Sequence, residues 1–261
     1  MQFDTESMHA VIWQHVMLEI KTIKRQPRRM QALQNVWKGF RILPSAWLLF
    51  LQFVILLLSL FAHHNMPYKV ITWMVGVLVL LLIAKVIRQT PMLSVLGLSF
   101  VYAALFFSVL ILLGVRHPLV LVLSHACEAA AYFSAAYGLL RYMFHDRYLT
   151  KDELFAAAAV FTLIAWGFAF LYSICQILIP QSFQNPNAAG LQSWLDLLFL
   201  SFSLQSATGL SDLIPISPEA RVIAMLQMFC GVMYFALIVS RLIALQYISH
   251  LPHHHQDDSA D

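Results

Sequence analysis

Six long apolar stretches, separated by short polar connections, constrain this chain more than any other feature of its sequence. Each is close to the roughly 17–25 residues that an α-helix needs to cross a bilayer. The stretches cover about residues 45–62, 70–87, 92–115, 119–144, 154–179 and 222–248. Hydrophobic residues make up 60% of the 261 residues and charged residues only 11%, against about 25% charged in a typical soluble domain. The sequence therefore predicts an all-α membrane protein with six transmembrane helices.

The positions of Lys and Arg predict how these helices cross the membrane. Cytoplasmic loops carry an excess of Lys and Arg over the loops on the other side. If both termini are cytoplasmic, only Lys69, Arg116 and Arg221 of the 16 Lys and Arg residues face outside. We therefore expect a multi-pass protein of the cell (plasma) membrane with both termini cytoplasmic.

The two ends of the chain are expected to lie outside the bilayer. Residues 1–44 are predicted to form a cytoplasmic amphipathic segment, in which residues 6–25 combine apolar side chains with a basic end. This segment would either lie on the cytoplasmic leaflet or pack as a soluble helix on the rest of the protein or on a neighbour. Residues 250–261 are predicted to form a short disordered cytoplasmic tail, for which metal binding by the histidines at 253–255 is the alternative.

A different pattern lies between the fifth and sixth stretches. Residues 191–206 (LQSWLDLLFLSFSLQS) are apolar but only about 16 in number, which is short for a span and suits a re-entrant helix. The polar turn ATGLS, residues 207–211, follows directly. Backbone groups at membrane depth must be hydrogen-bonded or face water, and free carbonyl oxygens can replace the hydration shell of an ion. Gly209 provides the positive φ that such a turn requires, so we expect a filter-like loop here.

The residues from Trp194 to Gly231 resemble the pore module of potassium channels. That module combines an aromatic-rich pore helix, a Thr-Val-Gly-Tyr-Gly-Asp filter, a proline three residues after the Asp, and an inner helix with a hinge glycine. In WLDLLFLSFSLQSATGLSDLIPISPEARVIAMLQMFCG, counting forward from Asp212 places Pro215, Arg221 and Gly231 at the family's positions without a gap.

The resemblance implies a role for each residue around the turn. Five residues would form the ion filter and one the outer mouth, with three filter-supporting residues in or next to the pore helix and a hinge in the inner helix. The ion filter would consist of Ala207, Thr208, Gly209, Leu210 and Ser211, and Asp212 would form the outer mouth. The filter would be supported by Ser203, Ser206 and Trp194, and Gly231 would be the hinge. Ser203 is expected to reach Asp212 from behind the filter. A close-contact site for a neighbouring helix is the alternative for Gly231.

Three filter positions depart from the potassium-channel pattern. Ala207 stands where the family has Thr and lacks the hydroxyl that closes the innermost ion site. Leu210 replaces the Tyr that holds the filter open, and Ser211 replaces the second Gly. Since one chain supplies one filter strand, the resemblance implies a homotetramer. It would conduct monovalent cations passively, with potassium as the expected ion, altered or weakened potassium selectivity, and no cofactor.

The helices before the pore module lack the device that makes channels voltage-gated. A voltage sensor carries regularly spaced arginines on its fourth helix. Here the fourth stretch has one arginine, Arg141, at its cytoplasmic end. We therefore predict a four-helix peripheral membrane domain without voltage-sensing arginines over residues 45–150 and an ion-channel pore domain over residues 151–249.

Two ionisable residues, His125 and Glu128, stand about one helical turn apart inside the fourth stretch. An ionisable residue within a span is a functional hypothesis, so this pair could sense pH or bind a metal. The interpretation that we favour is a membrane-embedded polar pair that holds the helical bundle together. The three cysteines have no paired spacing, and no metal site is predicted.

Other functional classes fit the sequence less well. HExxH and GxSxG motifs are absent and buried ionisable residues are few, so no enzyme is predicted. A secondary transporter is disfavoured because no internal repeat is evident. No nucleic-acid partner is expected. A non-conducting membrane scaffold or regulatory subunit with a relic pore is the main alternative to a channel.

Overall fold

The computed structural model describes residues 44–62, 75–83, 94–115, 117–145, 151–186 and 190–249. These residues are mostly helical, in agreement with the predicted all-α class. The helices are α1 (Pro44–Ala62), α2 (75–83), α3 (Ser94–Leu112), α4 (Pro118–His145), α5 (Lys151–Leu178), α6 (Trp194–Gln205) and α7 (Pro218–Ser249). Two short strands, β1 (Phe183–Gln184) and β2 (Ile214–Pro215), flank α6 in the sequence.

Four of the described helices are long and apolar enough to cross a membrane, which makes this a multi-pass membrane protein. Their apolar spans are Val95–Leu112, Pro118–Phe144, Leu154–Leu178 and Pro218–Arg241. Helix α1 contains a shorter apolar segment, Ser45–Leu58, and α2 is described only over residues 75–83. Six crossings therefore stay a prediction. The predictions for residues 1–43 and 250–261 lie outside the described residues.

Helix α5 is the most buried of the spanning helices. It packs on α1 and α4 of the predicted peripheral domain and on α6 and α7 of the predicted pore domain. Its apolar span is 61% buried, against 28% for α7 and 22% for α3. A Cβ added to Gly167 of α5 would lie 2.9 Å from the ring of Phe133 on α4, so small residues let these two helices approach closely. Helix α5 thus joins the two groups of helices.

Local sequence sets the ends of the helices around the predicted pore. Ser193 and Asp196 form a capping box at the start of α6: the Ser193 hydroxyl accepts from the Asp196 N–H at 3.2 Å, and the Asp196 carboxylate accepts from the Ser193 N–H at 3.3 Å. The Ser217 hydroxyl accepts from the Ala220 N–H at 3.1 Å. Pro218 is the first residue of α7, a position whose N–H would have no partner within the helix, so proline loses no hydrogen bond there. Helix α7 therefore begins four residues before the bound of 222 that hydropathy predicts.

Candidate pore site

The segment between α5 and α7 contains a short helix, α6, followed by a turn. Helix α6 has 12 residues and is therefore about 18 Å long, well short of the roughly 30 Å hydrocarbon core of a bilayer. Strand β1 pairs antiparallel with β2, with Phe183 opposite Pro215. Next to this pair, the Ser182 carbonyl accepts from the Ile216 N–H at 2.9 Å. The chain that leaves the turn is thus tied to the chain that leaves α5.

The chain leaves α6 through a tight C-terminal cap. The Ala207 N–H donates to the Leu204 carbonyl at 3.2 Å, and the N–H groups of Thr208 and Gly209 donate to the Ser203 carbonyl at 3.0 and 3.3 Å. The first two are the bonds of a Schellman motif. Ala207 takes the left-handed position of that motif, with a φ of 58°, although Gly is the usual residue there. Gly209 also has a positive φ, 67°, as its predicted role requires.

Two serine hydroxyls at the end of α6 hold the turn. Ser203 is 4% exposed, and its Oγ accepts from the Ser211 N–H at 3.2 Å. Ser206 Oγ donates to a backbone carbonyl of α6 at 2.7 Å and lies 3.1 Å from Thr208 Oγ1. Ser203 therefore contacts the backbone of Ser211, whereas the sequence predicted a contact with Asp212.

The turn itself is open to its surroundings. Ala207, Thr208, Gly209 and Leu210 are exposed, Leu210 by 71%, and Asp212 is exposed as well. The N–H groups of Ala207, Thr208 and Gly209 are bonded to carbonyls of α6, while no described residue donates to the carbonyl oxygens of these three residues. Backbone oxygens without protein partners are the groups that can coordinate a cation.

A buried polar network, which sequence analysis missed, fastens α6 to α5 and α7. The Tyr172 hydroxyl of α5 donates to Gln227 Oε1 of α7 at 2.7 Å, and Gln227 Nε2 donates to the Ser201 carbonyl of α6 at 2.9 Å. The Ser201 hydroxyl donates in turn to the Ala165 carbonyl of α5 at 2.6 Å. Gln227 Nε2 also lies 3.3 Å from Gln205 Oε1. Tyr172, Ser201, Gln205 and Gln227 are each at most 1% exposed, so these bonds form away from water.

The sequence contains a signal that could have revealed this network. Ser201 and Gln205 stand four residues apart and therefore on one face of α6, and Gln227 interrupts an otherwise apolar run. Gln205 Nε2 donates to the Phe161 carbonyl at 2.7 Å, which ties the end of α6 to α5. Side-chain amides within membrane helices commonly bond to neighbouring helices, and this rule applies to both glutamines.

Gly231 of α7 lies directly against the last residue of α6. A Cβ added to Gly231 would collide with the carbonyl oxygen of Gln205 and would lie 3.0 Å from the Gln205 Cα. Gly231 is also buried. Of the two interpretations of this glycine, a hinge and a close-contact site, the geometry is that of a close-contact site.

The region just described matches a known protein family. Residues 157–246 match the family model described as "Ion channel". The match begins in α5, includes α6 and the turn, and ends in α7. It supports an ion-channel family with a two-helix pore module and points to a channel, which needs no cofactor, rather than an enzyme. No curated protein and no solved structure matches the chain.

Trp194, predicted as filter support, lies at the opposite end of α6 from the turn. Its ring centroid is 4.4 Å from that of Phe170 and 5.9 Å from that of Trp166, both on α5. Trp194 therefore holds the start of α6 on α5, and its role as filter support stays a prediction, since any effect on the turn would have to pass along α6.

The polar pair of the fourth stretch is formed in the structure. His125 Nδ1 lies 3.0 Å from Glu128 Oε2, with the two side chains 24% and 15% exposed. The ring of His125 lies 5.7 Å from that of Phe170 on α5, so the pair contacts the helix that joins the two groups. Within the described part of the chain, no group of three or more His, Cys, Asp or Glu residues could hold a metal ion.

Proposed function

We propose that the protein is a homotetrameric, potassium-channel-like channel for monovalent cations, with potassium as the expected ion. The observation that carries this proposal is the turn at residues 207–209, where the N–H groups are bonded to α6 and the carbonyl oxygens are not. Four such turns around one axis would surround an ion with backbone oxygens, which can replace its hydration shell. One chain supplies one turn, so the proposed site needs four copies.

Helix α7 supports assembly of several copies. Its apolar span is only 28% buried. Large apolar side chains are exposed on more than one of its faces, among them Met225, Leu226, Met228, Phe229, Val232 and Phe235. Lipid can cover one face of such a helix, and neighbouring copies around a central pore would account for the others.

The conformation of Ala207 supports weakened potassium selectivity. Ala207 takes a left-handed conformation within the cap of α6, so its carbonyl oxygen would be oriented by the cap and not by an extended filter strand. Ala207 also lacks the hydroxyl of the potassium-channel pattern. The number of coordinating oxygens is one determinant of potassium selectivity, and a shorter stack would discriminate less. Asp212, exposed at the end of the turn, would add four carboxylates that concentrate cations at the outer mouth.

The peripheral helices are proposed to serve a role other than voltage sensing. Arg141 is the single arginine of α4, so a voltage change would move little charge through the membrane. The proposal therefore keeps residues 45–150 as a peripheral domain, residues 151–249 as the pore domain, and both termini in the cytoplasm.

Flux of potassium and sodium into liposomes that contain the purified protein tests this function. Gly209→Ala should abolish or change the flux, because it strains the turn that carries the carbonyl oxygens. Gly114→Ala is the matched control: both glycines have a positive φ, 67° and 96°, and an added Cβ would meet nothing within 4 Å at either. The control should therefore carry a similar backbone penalty and leave the flux unchanged. Bi-ionic reversal potentials then measure the selectivity.

The oligomeric state and the flux together separate the alternatives. The mass of the particle in nanodiscs should be that of four chains. A tetramer that conducts no cation would overturn the channel and favour the non-conducting scaffold or regulatory subunit. A monomeric particle would remove the shared site on which the whole proposal rests.

A further inference from the structure

A cavity of about 150 Å³ lies where the peripheral helices meet the start of α6. Its wall contains Glu128 and Tyr132 of α4, Trp166 and Phe170 of α5, and Trp194 of α6, and side chains of α1, α2 and α3 complete it. The residues of the turn are not part of this wall. A cavity of about this volume in another protein admits benzene, so a small organic molecule fits here.

Two of the lining residues have polar atoms that no described residue bonds, and one of these atoms is fully buried. Glu128 meets His125 through Oε2 only, and no described residue donates to its other carboxylate oxygen. Trp166 is 3% exposed, and its indole Nε1–H has no hydrogen-bond partner in the described part of the chain. Buried polar groups nearly always have a partner, from the protein, from water or from a ligand. Glu128, which can accept a further hydrogen bond, and Trp166, which can donate one, thus line the same cavity.

Apart from Glu128, the residues that α4, α5 and α6 contribute to the wall are all aromatic. Tyr132 stacks on Trp166 with ring centroids 5.8 Å apart and planes only 4° apart, and Trp194 packs on Phe170. Aromatic rings attract ammonium cations through the negative potential of their faces, and methylated ammonium groups are commonly held in aromatic cages. A carboxylate beside such rings adds a direct charge partner. The wall is therefore suited to a cation with apolar substituents rather than to an anion or a strongly hydrated metal ion.

We propose that this cavity binds a small organic ammonium cation that also carries an oxygen acceptor, the chemistry of choline and ethanolamine. The ammonium group faces Glu128 and the aromatic rings, and the oxygen accepts from Trp166 Nε1. This chemistry occurs both in free amines and in lipid headgroups. Glu128 lies ten residues inside α4, about 15 Å along the helix axis, so a headgroup would have to reach far below the bilayer surface.

The cavity also links such a ligand to the proposed pore. Trp194 is the first residue of α6, and α6 ends at the turn whose carbonyl oxygens accept from none of the described residues. A ligand that contacts Trp194 would therefore bias the position of α6. This consequence rests on the proposed function, whereas the binding itself does not.

Calorimetric titration of the full chain in nanodiscs of phosphatidylglycerol, which has no ammonium group, tests the binding. Choline should bind roughly tenfold or more tightly than 3,3-dimethylbutan-1-ol, its neutral isostere, because only choline has the charge. Glu128→Gln should weaken choline binding by a similar factor. Glu219→Gln, which removes a carboxylate from the exposed first turn of α7, should not. Trp166→Phe keeps a ring but loses the N–H, and should bring choline down to the affinity of tetramethylammonium, which has no oxygen.

Each outcome decides for or against the proposal. Equal binding of choline and the neutral alcohol, or unchanged choline affinity in Glu128→Gln, would show that the cavity holds water or apolar molecules only. If Glu128→Gln does not fold, the ligand comparison and Trp166→Phe decide alone. Repeating the titration with phosphatidylethanolamine in the nanodisc identifies the source: competition by that lipid points to a headgroup, and an unchanged affinity points to a free amine. Because no ion flux is measured, failure here leaves the proposed channel untouched.

Discussion

Replacing Gly231 by Ala distinguishes a close-contact glycine from a hinge. In a helix with free space, this change stabilises by about 0.8–1.0 kcal/mol because Ala has the higher helix propensity. At Gly231 the new methyl group would meet the carbonyl of Gln205, and overpacking of this kind destabilises by about 1–3 kcal/mol. The net effect expected at a close-contact site is therefore a loss of up to about 2 kcal/mol. If Gly231 were a hinge in open space, the same substitution would instead raise the free energy of unfolding by about 1 kcal/mol.

Denaturant unfolding of the purified protein in one detergent measures this difference. Gly76→Ala is the matched control, because Gly76 is also helical and an added Cβ would meet nothing within 4 Å. We expect Gly76→Ala to be at least as stable as the unaltered protein and Gly231→Ala to be less stable. If both variants gained stability equally, the contact between α6 and α7 at Gly231 would be refuted.

Three further substitutions test the turn and its supports. Ala207→Gly should stabilise the protein by about 1 kcal/mol, because Gly has no steric penalty at a φ of 58°; unfolding experiments that show no gain would contradict the left-handed cap. Tyr172→Phe should destabilise by about 1–3 kcal/mol, because buried Gln227 Oε1 loses its donor. In the double variant with Gln227→Leu, the total loss of stability should differ from the sum of the two single losses, and a simple sum would argue against the network. Asp212→Asn should lower single-channel conductance in dilute salt but not near 1 M salt, where the Debye length is about 3 Å; a salt-independent effect would exclude a role through charge.

The helices of this protein are predictable because length and hydropathy are local properties of the sequence. The apolar stretch at 154–179 corresponds to the span Leu154–Leu178, one residue shorter. The predicted start of α7 was less accurate, because Ser217 and Pro218 begin the helix and hydropathy does not detect such a cap. The similarity to ion channels was also predictable, since the matched residues 157–246 contain the pattern from Trp194 to Gly231.

The contacts that position the turn were harder to predict, because their partners are distant in the sequence. Gln227 bonds to residues 26 and 55 positions away, and no local pattern names such partners. The conformation of Ala207 was missed for a related reason. A left-handed alanine costs about 1–2 kcal/mol, so sequence alone assigns that conformation to Gly209. The cap makes it favourable by satisfying backbone groups at the end of α6 that would otherwise lack partners.

The turn takes its position from α6, and α6 takes its position from buried groups on both of its neighbours. Its start is held by Trp194, its middle by Ser201 and Gln227, and its end by Gln205 against Gly231. Moving α6 in one chain breaks at least one buried hydrogen bond, at about 1–3 kcal/mol. In the proposed tetramer, a concerted movement of four chains would multiply that cost to about 4–12 kcal/mol. A cation site made of backbone oxygens needs such stiffness, because the oxygens come from a turn with few contacts of its own. The departures at Ala207, Leu210 and Ser211 therefore alter the lining of the proposed filter while the framework that places it stays intact.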